Sequence, residues 1–156
     1  MIMATYNKLL SAGFEPQQQL ESRKTVVTQE QGKKYTLAIK NQCPSAVFQV
    51  DGYIVKSGRK CDKLVLVNTD SPSQNEWTEI FVELKGKDAV HGMEQLLSSA
   101  KEQIFADPTN KSRRARLVAT SIPANTANPM AERIRREFAK LKIDYKNLKP
   151  GQIDNL

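Results

Sequence analysis

Asp62, Glu83 and Lys85 are the residues of this 156-residue chain whose types and spacing suggest chemistry. Glu83 and Lys85 end the segment Trp77-Thr78-Glu79-Ile80-Phe81-Val82-Glu83-Leu84-Lys85. In an extended strand Ile80, Val82 and Leu84 share one face, and Phe81, Glu83 and Lys85 share the other. A carboxylate and an ammonium then project together from the end of an otherwise apolar strand. Burying either charge is costly unless it is paired or bound to a metal. Asp62 heads a second apolar run, Leu64-Val65-Leu66-Val67, after the turn-forming Ser57-Gly58-Arg59-Lys60. If the two strands are neighbours, Asp62 and Glu83 can share one divalent cation. Two such oxygen ligands suit Mg²⁺, with Mn²⁺ as substitute, because Mg²⁺ keeps several waters and takes one or two carboxylates plus substrate phosphate. A plainer origin exists for each piece: alternating charge on an edge strand produces Glu-x-Lys, and Asp62 can simply close a turn.

The elements that must position these residues follow from periodicity. Ile2 to Ala12 has helical spacing and ends at Gly13. Residues 15–34 are polar and read as a linker or a poorly marked second helix. Strand signals follow at Tyr35–Ile39, Ala46–Val50, Tyr53–Val55 after an Asp51-Gly52 turn, Asp62–Val67 and Trp77–Lys85. Asn68 to Asn75 is rich in turn formers and reads as an exposed loop. Val90, Met93, Leu96, Leu97, Ala100 and Ile104 mark a helix with Asp88 as its N-cap, closed by Asp107-Pro108. Ala115–Ile122 is a further strand. Asn128-Pro129 opens a last helix whose apolar stripe is Met130, Ile134, Phe138 and Leu141. Residues 144–156 read as a short edge strand and a frayed tail. The order predicts one α/β domain over 1–156, a mixed central sheet with helices on both faces.

Composition narrows the classes. Hydrophobic residues at 39% and charged residues at 26% exclude general disorder and a fibrous protein. The longest apolar run is four residues, far short of a membrane span. No basic stretch leads into an apolar block at the start, and Cys43 and Cys61 lack metal-type spacing, so reduced thiols in a cytoplasmic protein are expected. The charge of +7 is uneven: between Lys111 and Lys149 eleven basic residues face three acidic ones, while the remainder carries −1. That asymmetry suits a polyanion such as nucleic acid, through counterion release. An acidic protein, a membrane surface or a solvated face stays open. Trp77 and Phe138 read as core.

The pattern of Asp62, a spacer and Glu83-Leu84-Lys85, followed by a helix bearing Gln95, resembles the PD-(D/E)xK nuclease superfamily of restriction endonucleases and Holliday-junction resolvases. Cys61 stands where that family often has proline. Ser99 stands where RecB-type exonuclease domains carry a tyrosine, which sets the chain apart from that subgroup. The resemblance implies a restriction-endonuclease-like core: a helix, three antiparallel strands, a helix, then a strand. It implies that Asp62 and Glu83 bind the metal with the Leu84 carbonyl, and that Lys85 orients or helps deprotonate the attacking water. The expected activity is Mg²⁺-dependent endonucleolytic hydrolysis of DNA, with RNA also open. The alternative is a catalytically weak subunit that holds nucleic acid or a partner protein. Gln95 and His91 share a helix face and are candidates for phosphate contact or for capping the sheet end. Arg113, Arg114, Arg133, Arg135 and Arg136 are the candidate nucleic-acid contacts. Glu15, Glu21 and Asp51 are open as a further carboxylate. The small size suggests a homodimer or a subunit of a larger complex, since one site cuts one strand.

Overall fold

The computed structural model describes residues 3–58, 60–85, 88–120 and 128–156. A six-stranded mixed sheet forms the centre, in the order β1 (Gln18–Ser22), β4 (Pro44–Gln49), β5 (Lys63–Asn68), β6 (Trp77–Lys85), β7 (Asn110–Ala119), β8 (Ile143–Leu148). β1, β4, β5 and β6 run antiparallel, while β6, β7 and β8 are parallel. β5 is buried along its whole length and β6 except at Lys85, which explains their near-continuous apolar runs. Parallel β6 and β7 need a crossover, and α2 (Ala89–Ala100) supplies it.

Among the described residues, helices cover one face of this sheet. α1 (Thr5–Ser11), α2 and α3 (Pro129–Lys140) bury Leu9, Met93, Leu96, Ile134 and Phe138 against Phe48, Leu64, Leu66, Phe81 and Leu117. Trp77 belongs to this layer, 1% exposed and stacked on Tyr6. The second helical layer expected from the sequence is replaced by a three-stranded sheet in the order β2 (Thr25–Glu30), β3 (Lys33–Ala38), β9 (Ile153–Asn155). Val26, Tyr35, Leu37 and Ile39 pack there against Val47, Val65, Ile80, Val82 and Leu84.

Four local expectations are corrected. Residues 15–34 are no linker: they hold β1 and most of a β2–β3 hairpin whose Glu30–Lys33 closing pair leaves Gln31-Gly32 as a two-residue turn, both at positive φ. Tyr53–Val55 is not a strand; the Val50 carbonyl accepts from the N–H groups of Tyr53, Ile54 and Val55, curling the chain back. The tail is not frayed, since β8 joins the large sheet, β9 pairs with β3, and the Leu156 N–H donates to the Ala38 carbonyl at 3.1 Å. Leu141 and Met130 are exposed, so the α3 stripe is Ala131, Ile134 and Phe138. Asp88 and Asn128 do cap α2 and α3, accepting from the N–H groups of His91 and Ala131. Of the expected strand Ala115–Ile122, residues 121–122 lie outside the described residues, as does Arg59.

Candidate active site

Antiparallel pairing brings the candidate residues to one end of the central strands of the large sheet. Lys63 pairs with Val82 at the last rung between β5 and β6, so Asp62 and Glu83 come one step beyond it. There β5 ends, and Asp62 Oδ2 accepts from the Leu84 N–H at 2.9 Å, taking the place of a ladder carbonyl. The carboxylate is thereby oriented by the backbone of the neighbouring strand. Asp62, Glu83, Leu84, Lys85 and Gln95 line one cleft of about 520 Å³.

Glu83 is the most constrained group in it. Its side chain is 3% exposed, and Oε1 is buried without a hydrogen-bond partner. Lys85 Nζ lies 3.9 Å from Glu83 Oε2 and stays partly exposed. Burial, and then the charge of Asp62, push the Glu83 carboxyl up to about 8, with Lys85 opposing them. Burial likewise raises Asp62, and the Leu84 N–H offsets part of it. A buried carboxylate with an orphaned oxygen beside a second carboxylate is electrostatically short of positive charge.

Gln95 donates from Nε2 to the Lys60 carbonyl at 3.1 Å, while its Oε1 is buried without a partner. It thus ties α2 to the loop before Asp62. His91, one turn earlier, is half-buried and is not among the residues lining the cleft. Of the three open carboxylates, Asp51 lines the cleft, 3.5 Å from Lys60 Nζ, whereas Glu15 and Glu21 are exposed and are not among its lining residues.

The other wall of the cleft is Glu30, Gln31 and Lys33 at the β2–β3 turn. Lys63, 3% exposed, holds that turn in place: its Nζ lies 3.1 Å from Glu30 Oε2 and donates to Gln17 and Gln49. Reading residues 15–34 as a linker missed this wall. The available signal was the two-residue Gln31-Gly32 turn between Thr25–Val27 and Tyr35–Leu37. Gly92 was missed as well. A Cβ there would come within 2.7 Å of Leu117 Cδ1 and 3.3 Å of Glu83 Cγ, so its absence lets α2 press onto the Glu83 strand.

The basic residues divide. Arg113 pairs with fully buried Glu79 at 2.9 Å, donates to the Ala100 carbonyl and sits over the Phe81 ring. Arg114 donates to the Asn155 carbonyl. Arg116, 1% exposed, pairs with Asp154 and Asp144. These three are engaged within the fold. Arg133, Arg135 and Arg136 lie on α3, where Arg136 pairs with Glu132.

Among the described residues no three His, Cys, Asp or Glu side chains form a metal-holding group, so a cation would rest on Asp62 and Glu83. That pair fits an ion that keeps most of its waters, and the orphaned Glu83 oxygen is available to it. No helix among the described residues is long and apolar enough to cross a membrane. Comparisons with protein-family models, curated proteins and solved structures find no match to the chain.

Proposed function

We propose that the chain is a Mg²⁺-dependent nuclease with a restriction-endonuclease-like core, hydrolysing phosphodiester bonds, foremost in DNA. The observation that carries the reading is the convergence of Asp62, Glu83 and Lys85 on one cleft, with Glu83 buried and one of its oxygens unpartnered. The succession of antiparallel β4, β5 and β6, the crossover α2 and parallel β7 agrees with the core that the resemblance implies.

Asp62 and Glu83 would hold the ion, with the Leu84 carbonyl as a further oxygen. Bound there, Mg²⁺ supplies Lewis acidity toward the phosphate and acidifies a water. The protein does the rest. The Leu84 N–H fixes the Asp62 carboxylate, and Lys63 holds Glu30 and the wall facing it. Lys85 places a cation where charge develops on the phosphate and orients the attacking water. Gln95 keeps the loop before Asp62 against α2.

The test is incubation of the purified chain with supercoiled, linear and single-stranded DNA, and with RNA, each with Mg²⁺, Mn²⁺ or EDTA. Metal-dependent cutting is expected, and Lys85→Ala should slow it about 10²- to 10³-fold while leaving DNA affinity in EDTA nearly unchanged. Binding without cutting in either metal overturns the enzyme reading in favour of a nucleic-acid-holding subunit.

A further inference from the structure

A second cleft, of about 390 Å³, runs between α3 and the outer edge of β8 and is lined by Arg135, Phe138, Ala139, Tyr145 and Asn147, among others. Its floor is aromatic: the Phe138 and Tyr145 rings stack at 5.1 Å with 9° between their planes. Arg135, Tyr145, Lys146 and Asn147 bring donors to it, beside the carboxylate of Asp144. The Tyr145 hydroxyl donates to Asn147 Oδ1, which leaves the Asn147 Nδ2 amide to donate outward. Arg135 lies close enough to Tyr145 to oppose the effect of burial on its hydroxyl, and Arg135 Nη1 is buried without a hydrogen-bond partner. A guanidinium N–H removed from water and left unpaired lacks an acceptor, and the one its fork geometry matches is a phosphate or carboxylate. Asp144, the acidic residue at the rim, does not fill that role, since it pairs with Arg116 at 2.9 Å. α3 also carries Arg133, Arg136 and Lys140 against Glu132 and Glu137, and exposed Lys142 and Lys146 follow it, so the surrounding field is net positive.

We propose that this α3–β8 cleft is a phosphate subsite for a nucleic-acid backbone, with Arg135 as its fork and Asn147 as its second donor. Glu83, Leu117 and Asn147 stand in one row across β6, β7 and β8. Two strand spacings put Asn147 roughly 10 Å from Glu83. Leu117 between them is fully buried under α2, so a nucleic-acid strand that joins the two clefts must pass around the helical layer and span more than the three nucleotides of rise that about 10 Å corresponds to. The inference deepens the nuclease reading and rests on it for that link between the clefts; the binding itself does not depend on cutting.

The experiment measures affinity of the full chain for fluorescein-labelled 12-mer single-stranded and duplex DNA in EDTA, across a salt series, and separately measures cutting with Mg²⁺. Arg135→Gln should weaken binding about tenfold. It should also flatten the salt slope by about 0.9 on duplex or 0.7 on single strands. Arg135→Lys should recover the slope but only part of the affinity, because the charge returns without the fork. Asn147→Asp, on a different element, should weaken binding at least as much as Arg135→Gln. Lys40→Gln, at an exposed residue just past the end of β3 in the layer opposite the helices, is the control and should change affinity about twofold or less. Unchanged melting temperatures check the fold. Wild-type affinity and slope in both Arg135→Gln and Asn147→Asp overturn the subsite, as does a wild type that binds neither probe. An equal loss in Lys40→Gln overturns it in favour of a diffuse attraction to the net positive charge. If cutting fails but these binding differences hold, the nuclease reading falls and the subsite stands.

Discussion

Glu83 and Glu79 project toward the helical layer from the same strand and differ in what surrounds them. Glu79 is fully buried, with Oε1 held by Arg113 at 2.9 Å and Oε2 unpartnered. Burial pushes its carboxyl up to about 8, with Arg113 opposing the shift. A carboxyl whose folded pKa lies above its unfolded value contributes stability below the unfolded value, and that contribution is lost as pH rises through the folded one. Metal-free protein should therefore lose stability between pH 5 and 8.5. Glu79→Gln, neutral at every pH, should flatten that slope by at most a few kcal/mol. Urea denaturation at several pH values measures it, and an unchanged slope would show that Arg113 keeps Glu79 ionised throughout. Glu83 has no such internal partner for Oε1, so added Mg²⁺ should stabilise the fold by about 1.4 kcal/mol at ten times its dissociation constant. Asp62→Asn with Glu83→Gln should abolish that thermal shift while leaving the protein folded. A double variant that still responds to Mg²⁺ would place the ion elsewhere.

At the scale of elements, α2 links the two halves of the candidate site because it lies unusually close to the sheet. Gly92 makes that approach possible, facing Leu117, Glu83 and Lys85. Leu117 is fully buried and cannot swing clear. Gly92→Ala gains about 1 kcal/mol of helix propensity, but its Cβ must displace the buried Leu117, and the net cost should be about 1 kcal/mol. Gly92→Val, bulkier and a poorer helix former, should cost about 2–3 kcal/mol and lower metal affinity by displacing Glu83. Chemical denaturation and a Mg²⁺ titration check both, and a Val variant as stable as wild type would mean that α2 stands off the sheet. The facing element, the β2–β3 hairpin, is set by its Gln31-Gly32 turn and by the buried Lys63. Those two devices give a polar stretch a fixed position over the cleft.

A buried polar chain ties the two sheets together, beside the Lys63–Glu30 pair and the apolar packing between them. Tyr35 on β3 donates to Asp154 on β9 at 2.6 Å, and Arg116 on β7 bonds Asp154 at 2.8 Å and Asp144 on β8 at 2.9 Å. Arg116 and Asp154 are 1% and 3% exposed at their side chains. Arg116→Met would leave Asp154 buried without its cation, an expected loss of about 3–5 kcal/mol. Released protection of β9 and β3 amides in hydrogen exchange should accompany it. A loss below about 1 kcal/mol would mean that this chain contributes little to holding the two sheets together. Internal pairing of this kind explains why the basic third of the sequence is not a uniformly basic surface: Arg113 and Arg116 face inward, while Lys111, Lys142, Lys146 and Lys149 are exposed along with Arg133, Arg136 and Lys140 of α3.

Much of the site was legible in the residues themselves. Period-two alternation in Trp77–Lys85 determines that Glu83 and Lys85 share a face, and the apolar run after Asp62 determines that a buried strand begins there. Asp88 and Asn128-Pro129 set the starts of α2 and α3, because an orphaned N–H needs a local acceptor wherever the helix is placed. What covers the second face of the sheet was decided by tertiary structure. β2 and β3 are half-buried hairpin strands whose polar outer residues hide the pattern, and β9 joins them from more than a hundred residues away. Tertiary structure also chose Asp51 over Glu15 and Glu21 for the cleft lining, turned Arg113 and Arg116 inward, and brought Lys33 and Lys85 to one cleft. Local pattern is set by neighbours a few residues apart along the chain. Which charges are buried and paired depends on contacts across layers, where desolvation makes one partner worth having and none intolerable.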